Sequence, residues 1–180
     1  MNKNYIVIIA VSLFVVGLIC CLGVLLDNPI IDKEKLHSSR DDALFGVVRV
    51  IDGDTVIIKI DGKNETVRLI GINTPEVVDP RRPVECFGIE ASNRAKEILS
   101  GKRVRLEVDD LVGERDKYGR LLKYIFLEDG INFNKMMINE GYAYEYTFDL
   151  PYKYQSEFKQ AEKEAREAKR GLWADGVCEN

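Results

Sequence analysis

The stretch FGVVRVIDGDTVIIKIDGKNETVRLIGI, residues 45–72, decides the fold class. It contains three runs rich in β-branched residues, FGVVRVID, DTVIIKI and ETVRLIGI, and the last two flank Asp61-Gly62. An Asp-Gly pair between two such runs is a strong hairpin signal, and we expect Lys63 and Asn64 to extend the turn. The stretch therefore predicts three strands, with a hairpin between the second and the third.

Two more strands and three helices are predicted downstream. In VRLEV, residues 104–108, apolar and charged residues alternate, and LLKYIFL, residues 121–127, forms a fifth strand. The helical patterns are FGIEASNRAKEILSG, INFNKMMINEG and PYKYQSEFKQAEKEAREAKRG, each ending in glycine. Five short strands with a helix between the third and fourth predict an α+β fold. Its centre is a five-stranded Greek-key β-barrel of the oligonucleotide/oligosaccharide-binding type (OB-fold), with three helices. Such barrels host many functions, so function must be argued from the site.

The composition is that of a globular protein with one domain and an extra segment. The chain has 180 residues, of which 31% are charged and 46% hydrophobic, and its net charge is −4. A tight nucleic-acid binder is normally basic, whereas a catalyst needs only transient contact. The acidic balance therefore counts against a storage or coating protein more than against an enzyme.

An uncharged apolar run, YIVIIAVSLFVVGLICCLGVLL, occupies residues 5–26. It is long enough to cross a bilayer as a helix and longer than a typical signal-peptide core. We expect residues 1–27 to be a signal anchor that holds the domain outside the cell membrane. A cleaved signal peptide, which would release a secreted protein, is the alternative, and a buried core helix is a weaker one. A polar stalk (28–43), the barrel domain (44–175) and a C-terminal tail (176–180) follow.

Cysteine and histidine usage agrees with export. Cys20 and Cys21 lie in the apolar run, which leaves Cys86 and Cys178 in the remaining chain. A pair without a nearby histidine or further cysteine is a poor zinc site, but an exported pair is a candidate disulfide. The only histidine, His37, falls in the predicted stalk, so we expect no catalytic histidine.

Three polar clusters occur near predicted strand ends. They are DGDTV (52–56), RLIGINTPE (68–76) and RDKYGR (115–120). Taken singly, each has an ordinary explanation, because an Asp-Gly-Asp sequence is usually a tight turn and a charged loop is usually solvated surface. Taken together, they supply the groups needed to bind and hydrolyse a phosphodiester.

Each cluster contributes a specific chemical group. Asp54, Asn73 and the backbone carbonyl of Thr74 offer hard oxygen ligands that suit calcium better than zinc. Arginines can pair bidentately with phosphate oxygens, and a carboxylate can handle or orient a water molecule. The arginines are Arg68 and Arg120, and the carboxylate is that of Glu76. Negative charge grows on the phosphoryl oxygens as water attacks, and a cation and guanidinium groups stabilise it.

From about Phe45 to Trp173 the chain resembles the staphylococcal nuclease (thermonuclease) family. DGDTV, RLIGINTPE, EASNRAKEIL, RDKYGR and the terminal GLW follow one another in the family's order and approximate spacing. The resemblance implies a calcium-dependent endonuclease that cuts DNA and RNA with little sequence preference and leaves 3′-phosphate ends. We expect it to act as a monomer.

The resemblance also implies roles by position. Asp54 matches the acidic calcium ligand, and Asp52 matches an outer-shell acid near the metal. Arg68 and Arg120 match the two phosphate-clamping arginines. Glu76 matches the carboxylate that contacts the attacking water. The positions that touch the nucleotide's phosphate and base are matched by Lys117 and Tyr118.

The chain departs from the family pattern at two places. The family commonly has Asp where this chain has Asn73, so the metal site loses one negative charge but keeps an oxygen. The alternative is that Asn73 only caps the turn before Pro75. Downstream, an apparent one-residue insertion near residues 127–129 shifts the register of the family's stacking tyrosines. Stacking on the base and a core or strand role therefore both stay open for Tyr144, Tyr146 and Phe148.

Two other function classes compete with the nuclease. One is a non-catalytic, membrane-tethered nucleic-acid-binding OB-fold module, and the other is a tethered protein-interaction module. A domain that binds without cutting is expected to lack the arginines or the glutamate. The presence of Arg68, Glu76 and Arg120 together favours catalysis.

Overall fold

The structure, a computed structural model, describes residues 43–77 and 83–178. The predicted anchor, residues 5–26, lies outside this part of the chain, and so does the predicted stalk apart from its last residue. Among the described residues, no helix is long and apolar enough to span a membrane.

A closed five-stranded barrel forms the body of the described region, with the strand order β1-β2-β3-β6-β5. In chain order the strands are β1 (Leu44–Val50), β2 (Thr55–Ile60), β3 (Lys63–Leu69), β4 (Ile72–Asn73), β5 (Arg103–Glu107), β6 (Leu121–Phe126) and β7 (Tyr144–Glu145). Neighbouring barrel strands pair antiparallel, except β3 and β6, which pair parallel. The predicted five-stranded barrel is confirmed, and the architecture is consistent with an α+β OB-fold.

The three predicted helices are also present. They are α1 (Gly88–Leu99), α2 (Phe133–Asn139) and α3 (Gln155–Glu167), and a short 3-10 turn follows at Gly171–Trp173. Each helix buries an apolar face, and the largest fully buried side chains include Tyr124, Phe133 and Phe158. One apolar core therefore joins the barrel to the helices.

The β2–β3 hairpin is tighter than the sequence suggested. Ile60 pairs with Lys63, so the turn contains only Asp61 and Gly62, both with positive φ (49° and 79°). Lys63 and Asn64 belong to β3, and the prediction that they extend the turn was wrong. A two-residue turn with positive φ at both positions matches the twist of paired strands, so no further residues are needed.

Gly71 divides the predicted third strand in two. The barrel strand ends at Leu69, and Asn73 pairs instead with Tyr144 in a separate two-stranded sheet of β4 and β7. Gly71 has φ +76°, and a Cβ there would lie 2.6 Å from the ring of Tyr152. Only glycine suits this position, and the bend that it permits sets the direction of the chain into β4.

Candidate active site

A buried ion pair joins the start of β2 to the end of β3. The Oδ2 of Asp54 lies 3.0 Å from Nη2 of Arg68 and accepts a hydrogen bond from the N–H of Thr74 at 2.9 Å. The register of the hairpin places Thr55 opposite Arg68, and the N–H of Leu69 donates to the carbonyl of Asp54 at 2.9 Å. Strand pairing therefore holds the acid and the arginine together.

The guanidinium of Arg68 also fixes the bend between β3 and β4. Its Nη1 donates to the carbonyls of Leu69 and Ile72, at 3.1 and 2.9 Å, and its Nη2 donates to Oδ1 of Asn73 at 3.1 Å. Asp54 and Asn73 thus contact the same nitrogen of Arg68. The bend brings an acid, an amide and a guanidinium into one cluster.

Asp52 adds a second buried carboxylate beside Asp54. Its Oδ1 accepts a hydrogen bond from the N–H of Asp54 at 3.1 Å. Gly53 lies so close to Thr74 that a Cβ there would be 2.5 Å from a side-chain carbon of that threonine. Burial, and next the charge of Asp54, raise the pKa of Asp52 to about 7. The charged form of Asp52 is therefore disfavoured beside Asp54, and a nearby cation would favour it.

The oxygens at this corner are of the kinds that a hard cation takes. Carboxylate, amide, hydroxyl and backbone oxygens are typical calcium ligands. Within residues 43–77 and 83–178, no three His, Cys, Asp or Glu side chains group closely enough to hold a metal ion. An ion bound near Asp54 would therefore complete its shell with the oxygens of Asn73 and Thr74 or with water. The donor set fits calcium, with fewer charged ligands than an all-carboxylate site.

Asp116 organises the RDKYGR loop. Its Oδ2 accepts from Nε of Arg120 at 2.6 Å, and its Oδ1 accepts from the N–H groups of Tyr118 and Arg120, both at 2.9 Å. Burial opposes ionisation of Asp116, but the hydrogen bonds from Arg120 prevail and lower its pKa. Asp116 was not among the predicted site residues, although an Asp two residues before Tyr and three before Gly is a recognisable Asx-turn signal.

An open cavity of about 610 Å³ joins the two arginine clusters. Its polar wall includes residues that the sequence singled out from two separate segments, namely Arg68, Asn73, Lys117, Tyr118 and Arg120. The rest of the lining is largely apolar. The ring of Tyr118, which is 72% exposed, lies 5.4 Å from the guanidinium carbon of Arg120. A phosphate and an attached base could occupy the cavity together.

The three downstream aromatic residues lie in different places. Tyr146 and Phe148 line the cavity, with their ring centroids 6.4 Å apart. Tyr144 is in β7 and packs edge-on against Trp173 at 5.2 Å, outside the cavity lining. Of these three residues, Tyr146 and Phe148 are positioned to contact a nucleotide bound in the cavity, and Tyr144 is not.

Glu76 lies beyond the cavity lining, two residues after Thr74, and is half-buried. Its backbone N–H donates to Oε2 of Glu85 at 3.0 Å, and the N–H of Glu85 donates to its carbonyl at 2.9 Å. Its own Oε1 accepts from the N–H of Val77 at 2.9 Å. No local pattern predicts the contact with Glu85, because Glu85 lies nine positions further along the chain.

Cys86 and Cys178 are joined by a disulfide, with their Cα atoms 5.8 Å apart. The bridge ties the residue just before Phe87 and α1 to the last described residue of the chain. It closes a loop over a sequence separation of 92. His37 lies outside the described residues.

Comparison with known proteins identifies similar nucleases. A family model described as staphylococcal nuclease homologue matches residues 66–175. The chain is 41% identical over 138 residues to a thermonuclease of Staphylococcus hyicus, covering 77% of this chain and 80% of that relative. It is 46% identical over 127 residues to a thermonuclease of Staphylococcus intermedius, covering 71% and 74%. It is 37% identical over 141 residues to the endonuclease YncB of Bacillus subtilis, covering 77% and 66%.

Proposed function

Because the chain belongs to the staphylococcal nuclease family and is a phosphodiester endonuclease, we propose that it cuts DNA and RNA in a calcium-dependent reaction. The cleavage has little sequence preference and leaves 3′-phosphate ends. One observation carries the proposal. Arg68 and Arg120, from separate segments, line the same cavity, and Arg68 is paired with the buried acid Asp54.

Asp54, Asn73 and Thr74 supply the oxygens that would hold calcium, and Asp52 supports them from outside. Bound calcium would contribute positive charge near the phosphoryl oxygens. Support comes from the buried carboxylate pair and from the raised pKa of Asp52, because a bound cation would favour the charged form of that acid. The amide of Asn73 makes this site less negative than one with a third acid.

Arg68 and Arg120 bind the scissile phosphate through their guanidinium forks. In the structure each fork is held by a carboxylate, Asp54 for Arg68 and Asp116 for Arg120. The contact with Asp116 uses only Nε of Arg120 and orients that cation before substrate arrives. The Nη groups of Arg68 contact Leu69, Ile72, Asn73 and Asp54, so Arg68 exchanges part of these contacts for the phosphate. Glu76 lies outside the cavity lining, two residues after Thr74, and we propose that it contacts the attacking water from there and orients it or takes its proton.

The lining of the cavity supports contact with an unstacked nucleotide. Tyr118, Tyr146 and Phe148 offer aromatic faces, on which bases of any sequence can stack. Lys117 adds a cation for the phosphate. Stacking is tolerant of sequence because every base has a π-face, which agrees with low sequence preference.

The domain is proposed to act outside the cell as a monomer, tethered through residues 5–26 or released by cleavage of that segment. The uncharged apolar run and the Cys86–Cys178 disulfide support export. Fractionation of the expressing cells tests this, because a tethered chain stays with alkali-washed membranes and a cleaved one appears in the medium. Light scattering of the purified protein tests the monomer.

Cleavage by the purified 180-residue chain tests the proposed reaction. Plasmid DNA and a transcribed RNA are incubated with calcium, and in parallel with a chelator. We expect random cleavage of both substrates with calcium only, and product ends that a polymerase extends only after phosphatase treatment. Equal cleavage in chelator would refute calcium dependence. Binding without cleavage would instead support the tethered binding module.

A further inference from the structure

The backbone of Glu76 is held by a two-way contact with Glu85. The N–H of Glu76 donates to the carboxylate of Glu85 at 3.0 Å, and the N–H of Glu85 donates to the carbonyl of Glu76 at 2.9 Å. Both hydrogen bonds are made by main-chain atoms of Glu76, its N–H and its carbonyl. The contact therefore fixes where the Glu76 side chain originates.

The segment around Glu76 also packs tightly onto the start of α1. A Cβ at Gly88 would lie 3.1 and 3.2 Å from the carbonyl oxygens of Pro75 and Glu76, and 2.8 Å from a side-chain carbon of Val77. The N–H of Gly88 in turn donates to the carbonyl of Glu85 at 3.0 Å. Glu85 thus lies between Glu76 and the first residue of a helix.

The residues on the far side of Glu85 are anchored to the body of the domain. Cys86 forms the disulfide with Cys178, and the ring of Phe87 stacks on Tyr142 with centroids 5.4 Å apart. Phe87 has φ 65°, so the chain makes a sharp left-handed step just before α1. These contacts hold Glu85 in place independently of Glu76.

We propose that Glu85 is a positioning residue for the endonuclease reaction, and that it acts by fixing the backbone of Glu76. The inference rests on the proposed role of Glu76 toward the attacking water. Glu85 lies outside the lining of the cavity that contains Arg68 and Arg120. Its loss therefore changes the alignment of Glu76 without changing the residues that bind the phosphate and base.

The test compares steady-state cleavage of a short fluorescent oligonucleotide at saturating calcium. We expect Glu85→Ala to lower kcat by about 10-fold to 100-fold, as expected for misplacement of a reacting group by about 1 Å. KM should stay within about twofold, because the cavity lining is unchanged. Glu85→Gln should keep most of the rate, since its amide oxygen still accepts from the N–H of Glu76. Glu128→Ala, at an exposed acid elsewhere, is the matched control.

A double-mutant cycle separates positioning from a general structural role. If Glu85 acts through Glu76, Glu85→Ala adds almost nothing to the defect of Glu76→Gln. Glu85→Leu also lacks the hydrogen-bond acceptor and is measured beside Glu85→Ala. If one of the two variants fails to fold, the other can still be assayed. Thermal unfolding of every variant is measured in parallel.

Two results would overturn the inference while leaving the proposed function intact. One is a kcat for folded Glu85→Ala or Glu85→Leu within about twofold of the parent. The other is a loss in the Glu76→Gln background as large as that in the parent. A parent protein that fails to cleave with calcium would refute the proposed function itself, and that result is obtained before any variant is compared.

Discussion

The guanidinium of Arg68 and the carboxylate of Asp54 form an ion pair at 3.0 Å, with side-chain exposures of only 14% and 8%. Water screens a pair in such a place weakly, so each partner strongly affects the other. The same carboxylate accepts the N–H of Thr74, and the same guanidinium donates to Asn73. The pair therefore links stability of the β2–β3 corner to the chemistry proposed for it.

Arg68→Ala should lose both activity and stability. Removing a preorganised charge contact to the transition state costs about 100-fold to 1000-fold in rate. Leaving the buried Asp54 without its partner costs about 3 kcal/mol in the free energy of unfolding. Arg68→Lys keeps the charge but not the fork, so it should recover stability more than rate. Cleavage kinetics and urea unfolding measure the two effects.

The matched control for Arg68 is Arg103→Ala. Arg103 is exposed on β5 and donates to the carbonyl of Leu44 at 3.3 Å, away from the cavity. Its removal should leave the rate within about twofold. A folded Arg68→Ala protein that cleaves within tenfold of the parent would contradict the assigned role.

The barrel was predictable from the sequence because its signals are local. β-branched runs, alternation of apolar and charged residues and the Asp61-Gly62 turn each act over a few residues. β4 was missed since a strand of two residues has no periodicity to detect. Its position depends on Gly71 and on pairing with β7, which is far along the chain. Long-range pairing of this kind leaves no local pattern.

The candidate site, like the barrel, was predictable from the sequence only in part. The residue types that suit phosphate and calcium stand out in the sequence, and the structure brings Arg68, Asn73 and Arg120 to one cavity. Two residues that contact site residues, Asp116 beside Arg120 and Glu85 beside Glu76, were not singled out. Asp116 carries a local Asx-turn signal, but its contact with Arg120 depends on the folded loop. The hydrogen bond between Glu85 and the N–H of Glu76 has no local signal, so the sequence offers no reason to prefer Glu85 over other surface acids.

Tyr146→Ala and Phe148→Ala should each weaken substrate binding. Stacking of one base on an aromatic side chain contributes about 1 to 3 kcal/mol, so we expect KM for a short oligonucleotide to rise about 10-fold. Tyr144→Phe is the control, because Tyr144 packs against Trp173 outside the cavity lining. An unchanged KM in both alanine variants would remove these two residues from the base-binding surface.

Lys123→Met should stabilise the protein most near neutral pH. Lys123 is 8% exposed in β6, and burial lowers its pKa; the charge of Glu114 raises it by a smaller amount, and the charge of Arg115 lowers it further. Because the folded pKa lies below the unfolded one, the charged amine is penalised in the folded state at neutral pH. That penalty disappears as pH rises through the folded pKa toward the unfolded value, about 10.4.

Urea unfolding of Lys123→Met and its parent from pH 7 to pH 10 measures this effect. The difference in the free energy of unfolding should shrink as the pH rises. Lys59→Met, at an exposed lysine on β2, is the matched control for removal of a lysine. A constant difference for Lys123→Met would show that its amine is not penalised by burial.

Reduction of the Cys86–Cys178 disulfide should lower the free energy of unfolding. The bridge spans a sequence separation of 92, for which the chain-entropy model gives about 4 to 5 kcal/mol as an upper figure. Urea unfolding with and without reductant, beside Cys86→Ser/Cys178→Ser, measures it. Reductant should not affect the serine variant. Two alkylatable thiols at Cys86 and Cys178 in oxidatively produced, unreduced protein would be inconsistent with the bridge.

Asn73→Asp should lower the calcium concentration for half-maximal cleavage. Calcium affinity is tuned by the number of charged ligands, and the substitution would add a carboxylate beside Asp54. The cleavage rate at saturating calcium should change less than this midpoint. In the parent, the calcium ion has fewer charged ligands and keeps more of its positive field for the phosphate, so tighter binding in Asn73→Asp comes with a weaker field. Without calcium, the new carboxylate would also strengthen the contact that Asn73 already makes with Arg68 at 3.1 Å. That competing ion pair limits the gain in affinity.

A calcium titration of cleavage distinguishes a metal-binding role of Asn73 from a turn-capping one. Asn73→Ala and Asp54→Ala are titrated beside Asn73→Asp. If Asn73 is a ligand, the midpoint falls in Asn73→Asp and rises in Asn73→Ala. If Asn73 only shapes the bend through Arg68, Asn73→Ala loses rate at every calcium concentration, and the midpoint does not move. An unchanged midpoint in both Asn73 variants, with a strongly raised one in Asp54→Ala, would place Asn73 outside the metal shell. The charge deficit at this position would then have no bearing on calcium affinity.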